Sequence, residues 1–181
     1  MDVRPDLQLQ SIIKAMNDII LPAVDADNRL AQEQARLVIA TLQLVVKRLP
    51  IAYRYDRDEL GRYLALSRDL LAQVGTSLSD PLVSQLEQLV SAGADVFERA
   101  RAEPAELEQS VFSLRAAVGD LIQETRTRND ARCRAAVRKL VLAAAKVELG
   151  RERALVVDIG FEADPNDMPL PILEQLPPVN C

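Results

Sequence analysis

Residues 30–49 read LAQEQARLVIATLQLVVKRL, and this stretch decides the class of fold. Ala31, Ala35, Val38, Leu42, Val45 and Leu49 follow one another at alternating spacings of four and three, the rhythm of a helical packing seam. Leu30, Leu37 and Leu44 repeat every seven residues on another side of the same helix. Only a narrow strip stays polar, made by Arg29, Gln32, Arg36, Gln43 and Lys47. A helix that is apolar over most of its circumference has to be covered on more than one side. The expectation is therefore a helix in the middle of a helical bundle, wrapped by the rest of the chain.

Composition agrees with helix against helix. The chain has 181 residues, of which 49% are hydrophobic but only 3% aromatic, with six glycines. A chain of this length buries about 70% of its unfolded surface as a single domain, without staples. There is no histidine, and the two cysteines, Cys133 and Cys181, suggest neither a zinc site nor a disulfide framework. The net charge of −5 argues against a general nucleic-acid binder, because phosphate affinity comes mainly from basic charge. The N-terminus does not read as a signal peptide, and the longest apolar run, residues 37–46, is too short to span a membrane. These features together predict a soluble cytoplasmic protein.

Outward from the central stretch, the same spacing recurs in five more segments. The first helix is predicted to start at Pro5 and end at Pro22, with Leu9, Ile13, Met16 and Ile20 on its seam. Arg4-Pro5, Ile12-Ile13 and Ile19-Ile20-Leu21-Pro22-Ala23-Val24, followed by an Ala- and Leu-rich helix, resemble a bacterial helical family of unknown function over roughly the first 50 residues. Members of that family are encoded beside phosphotransferase-like kinases and acyl-CoA dehydrogenases. The resemblance implies a bacterial accessory protein and carries no active-site residues.

Asp25, Asp27 and Asn28 offer caps for the second helix, which is predicted to stop at Pro50. A third is expected from Asp56, whose pairing with Glu59 resembles a capping box, to Gly75. Asp80-Pro81 and Glu103-Pro104 mark two further starts, and residues 127–130 precede a sixth helix on the seam Cys133, Val137, Leu140, Ala144 and Val147. Gly93 lies on the fourth seam, which predicts a close backbone approach. Short connections make neighbours antiparallel, so the fold class is all-α: an up-and-down bundle of about six helices over 1–153. Residues 154–181 hold five of the ten prolines and five acids with no Lys or Arg, yet keep many apolar groups. They read as an extended acidic strap, with one short turn near Ile172 to Leu176, packed on the bundle or on a partner.

Two constellations are candidates for chemistry. Between Arg126 and Arg153 nine basic residues face three acids, a net of +6 that leaves −11 for the rest of the chain. Arg132, Lys139, Lys146 and Arg153 are spaced by seven, Arg128 extends their stripe, and Leu142 and Leu149 continue an apolar row from Ala135. This is either a docking face for an anionic group or an acidic helix, or a solvated face balanced by acidic neighbours. The second is Tyr53-Arg54-Tyr55-Asp56-Arg57 with Arg62 and Tyr63. Arginine and tyrosine together hold planar or phosphorylated ligands by stacking and forked hydrogen bonds, and equally seal helix-helix corners.

Catalytic machinery is not visible. Glu-x-x-His di-iron sites are excluded by the lack of histidine, and Glu103 and Glu106 sit where a helix start favours carboxylates. No glycine-rich phosphate loop or nucleophile elbow occurs, and no cofactor or metal is expected. Cys133 reads as a small core residue. The sequence thus predicts a non-enzymatic interaction protein, a homo-oligomer or one with a protein partner. The alternative is a carrier or sensor of an apolar or acyl ligand, with small seam residues (Gly93, Ala100, Ala144) leaving a cavity. A metal-dependent hydrolase is a third reading, and would need carboxylates converging from separate helices.

Overall fold

The computed structural model describes residues 4–74, 80–99, 101–128, 130–157, 164 and 166–178. Gly75, Ala100 and Cys181 lie outside the described residues. Among those described the chain is all-α and has no strand. It divides into two compact units, one made of Met1–Ala52 with Glu152–Ile172 and the other of Tyr53–Arg151 with Leu173–Cys181.

In the first unit, α1 (Pro5–Ala15) runs through a π-helical turn, Met16–Ile20, into α2 (Leu21–Ala23). Pro22 explains the widening. It has no N–H, and its ring crowds the carbonyl four residues back, so the turn opens to a bond from the Leu21 N–H to the Met16 carbonyl. α3 (Arg29–Arg48) is capped by Asn28, whose Oδ1 accepts the Ala31 N–H at 3.1 Å. Gln32 Nε2 donates to the Val24 carbonyl at 2.8 Å and fixes the preceding loop. The Arg48 guanidinium donates to the Leu155 carbonyl at 2.7 and 3.3 Å.

The central position expected for α3 is not what the structure gives. Within α3 only Ile39 and Leu44 are buried, while Leu30 is 68% exposed and Leu37 48%. An apolar row records what a helix is able to bury, and burial itself needs a partner on that side. α1 and the turn that follows it pack along α3, and among the described residues that leaves Leu30 and Leu37 largely exposed. Pro50 does not separate two helices either, because a 3-10 turn, Leu49–Ile51, leads directly into α4 (Ala52–Val74). Asp56 and Glu59 consequently lie inside α4 and not at its cap.

The second unit holds the main core. α4, α5 (Asp80–Glu98), α6 (Pro104–Thr127) and α7 (Ala131–Val156, of which residues 131–151 belong here) form a helical bundle around one core. Its centre is α6, which buries Leu107, Val111, Leu114, Ala117, Val118 and Leu121 against Leu60, Leu64 and Leu70 of α4 and Leu86 of α5. At Gly93 the neighbours are side chains and not another backbone: a Cβ there would meet Leu64 Cδ2 at 3.2 Å. α6 starts as read, with Glu106 accepting the Glu103 N–H at 2.9 Å. That bond and the Arg99 guanidinium hold the Glu106 carboxyl below the usual carboxylate range. Asp130 Oδ1 caps α7 by accepting the Cys133 N–H at 2.9 Å. The buried Cys133 thiol is pushed up by burial and then by Asp130, which makes it a poor nucleophile.

The helical pattern does not stop at Ala154, since α7 runs on to Val156; among the described residues beyond it, the short turn is in the expected place, α8 (Ile172–Gln175). In the first unit Arg153 donates to the Asp167 carbonyl at 2.6 Å and pairs with its carboxylate at 3.2 Å. In the second, Leu176 is buried and the Arg54 guanidinium donates to the Pro177 carbonyl at 2.8 Å.

Candidate functional site

α7 follows the core seam only in its first half. Cys133 and Val137 are buried and Leu140 and Val141 half-buried, but the run Ala143-Ala144-Ala145 has no side chain large enough to reach α4 and α6. A groove remains between these helices. Its inner part, about 500 Å³, is floored by Leu66, Val118, Ile122, Leu140, Val141 and the alanines, with Tyr63, Arg62, Arg115, Asp69 and Glu148 at its edge. Gly119 also lines it, and a Cβ built there would meet nothing within 4 Å.

The groove continues along α6 and α7 through Ile122 and Val141, shared with a second hollow of about 680 Å³. Here Val137 and Leu142 supply the floor, and Arg126, Arg134, Arg138 and Lys139 the sides, with no carboxylate among the lining residues. Fourteen residues separate Arg134 from Glu148, so the groove follows α7 for about 21 Å at 1.5 Å per residue.

Only part of the stripe read from the sequence lies here. Lys139 and Leu142 line the groove; Arg132, Lys146 and Leu149 are exposed on other parts of α7. Arg128 is paired with Glu124 at 2.5 Å, and its carbonyl accepts from Arg134. Arg153 belongs to the first unit through Asp167. A seven-residue spacing follows one line along a helix, whereas the groove wall combines Arg134, Val137, Arg138, Val141 and Leu142 with residues of α6. The i, i+3, i+4 spacing of those α7 residues was a signal available in the sequence; Arg126 and Gly119 needed the structure.

The tyrosine-arginine constellation separates into distinct roles. Tyr53 is exposed, whereas Tyr55 lies under the Arg151 guanidinium, 4.7 Å from its ring centre. Arg151 is only 2% exposed and meets Asp58 Oδ2 at 2.8 Å. Arg62 approaches the same oxygen at 3.2 Å and Glu148 Oε2 at 2.8 Å. The charges are in ion-pair contact but poorly aligned: Asp58 Oδ2, Arg62 Nε and Nη2, and Arg151 Nε and Nη2 have no hydrogen-bond partner among the described residues. The Tyr55 phenol, 3.5 Å from Glu148 Oε1, is pushed up to about 12, first by burial and then by that carboxylate. Beside them Arg115 donates to Tyr63 Oη at 2.9 Å and pairs with Glu59 at 2.8 Å. Arg57 stacks on Phe97 of α5 at 4.5 Å.

The cavity expected from small seam residues is absent at Gly93, where Leu60, Leu64 and Leu114 fill the space. Ala144 lines the open groove and no enclosed space. Among the described residues no group of three or more His, Cys, Asp and Glu side chains is placed to hold a metal, and no helix is long and apolar enough to cross a membrane. Comparison with protein families, with curated proteins and with solved structures finds no match for this chain.

Proposed function

We propose that this protein is a binding module that seats an amphipathic, acidic helix of a partner protein in the groove between α6 and α7. The observation that carries the reading is a groove about 21 Å long, apolar along its floor and flanked at one end by four cations with no lining carboxylate. A partner helix of about fourteen residues fits that length. Charge disfavours a second copy of α7 as occupant: seven basic and two acidic residues lie on this helix, and a two-fold axis through the groove would face those cations with their own copies.

The inner end also favours a second reading, an apolar chain with an anionic head, because Arg62, Arg115 and Tyr63 edge the alanine-floored part. One experiment separates the two. A synthetic fourteen-residue helix with leucines at i, i+3, i+4 and i+7 and glutamates flanking them is titrated by fluorescence anisotropy. Its lysine-flanked counterpart and dodecanoate are titrated in parallel. The acidic peptide is expected to bind more tightly than the basic one by about tenfold or more at low salt, and more weakly as salt rises. Arg134→Glu with Arg138→Glu should abolish the preference, and Leu142→Asp should abolish binding. Equal affinity for both peptides would sink the first reading, and saturable binding of dodecanoate alone would establish the second.

A further inference from the structure

On the second unit lies another hollow, of about 450 Å³, lined by Arg54, Arg57, Asp58, Gly61, Arg62, Phe97, Pro177 and Pro178. Three of its eight lining residues are arginines, and its single carboxylate is already engaged, since Asp58 Oδ2 contacts both Arg151 and Arg62. Arg62 has Glu148 as a further partner. Arg54 and Arg57 are left with no carboxylate at ion-pair distance among the described residues. One bonds the Pro177 carbonyl at 2.8 Å and the other lies over the Phe97 ring at 4.5 Å.

Arg54 and Arg57 lie one turn apart on α4, both half-buried and both lining the pocket, so it presents positive charge to an incoming anion. Two forks favour a doubly charged oxyanion over a carboxylate, and a phosphomonoester carries close to two charges at neutral pH. Inorganic phosphate leaves most of the volume empty. The remaining wall is flat and apolar: the Phe97 ring, two prolines, and Gly61, where a Cβ would come within 3.0 Å of that ring. We infer that this pocket binds an aromatic phosphomonoester, its phosphoryl group between Arg54 and Arg57 and its ring against the Arg57–Phe97 stack and the prolines.

The test is a titration of the full chain with phenyl phosphate, inorganic phosphate and phenol, followed by calorimetry and by ligand-observed NMR. Phenyl phosphate should bind with a Kd at or below about 1 mM at low salt, at least about fivefold more tightly than phosphate, and phenol should not bind. Arg54→Gln with Arg57→Gln should weaken it by about tenfold or more while leaving the acidic-peptide affinity of the groove unchanged. Arg57→Lys, which keeps the charge but removes the fork and the stack, should give an intermediate loss and guards against a double variant that fails to fold. No saturation by about 10 mM phenyl phosphate, equal affinity for inorganic phosphate, or undiminished binding by the folded double variant would each overturn the assignment.

Discussion

Replacing Gly119 by alanine should make the protein more stable, and replacing Gly93 by alanine should make it less so. Both glycines lie inside helices of the same unit, so both substitutions gain the same backbone term, about 0.4–1 kcal/mol from a less flexible unfolded chain and better helix propensity. They differ in what the new methyl meets. At Gly119 nothing stands within 4 Å, and the gain is kept. At Gly93 the methyl would press on Leu64 Cδ2 at 3.2 Å, with Leu114 and Leu60 each at 3.6 Å, and overpacking of this kind costs about 1–3 kcal/mol. The expected signs are therefore opposite: a rise in Tm of about 2–4 °C for Gly119→Ala and a fall for Gly93→Ala, with matching shifts in urea midpoint at constant m. Urea unfolding followed by circular dichroism reads both. Destabilisation by Gly119→Ala would refute the open groove, because it would mean that something already occupies the space.

Three further outcomes are expected. Arg151→Met should cost about 3–5 kcal/mol in urea unfolding, since it leaves Asp58 and Tyr55 facing a buried gap in charge, and a loss below about 1 kcal/mol would mean that Arg62 alone balances Asp58. Leu64→Ala should cost about 2–5 kcal/mol, whereas Leu37→Ala should stay within about 0.5 kcal/mol, and comparable losses would return α3 to a central role. Burial, and after it Glu108, raises the Asp56 carboxyl above its ordinary value, so the native state holds that proton more tightly than the unfolded chain. Its contribution to stability is then lost as pH rises from the ordinary carboxylate range through the raised value; Asp56→Asn should melt higher than wild type at pH 7, and the difference should vanish near about pH 3.

The sequence alone determined the class of fold and most of its punctuation. The helix starts at Pro5, Pro81 and Pro104 and the Asn28 cap are local matters of backbone geometry, and each lies where the pattern put it. The short turn at Ile172 was also legible, set between prolines that a helix does not run through. What local pattern does not encode is which partner covers which face. The apolar circumference of α3 suggested the middle of a bundle, yet the core gathers around α6, and Leu30 and Leu37 stay in solvent.

The same limit governs the sites. A positive stripe was visible on the sixth helix, but whether a cation faces a groove, a carbonyl or water depends on the neighbouring helix. Lys139 joins Arg126 across α6 and α7, while Arg153 turns to Asp167. Gly61, Phe97 and Pro178 are far apart in sequence and meet Arg54 and Arg57 only once α4, α5 and the strap are in place. Spacing along a chain fixes what one element can present, and only tertiary packing decides what is brought opposite it.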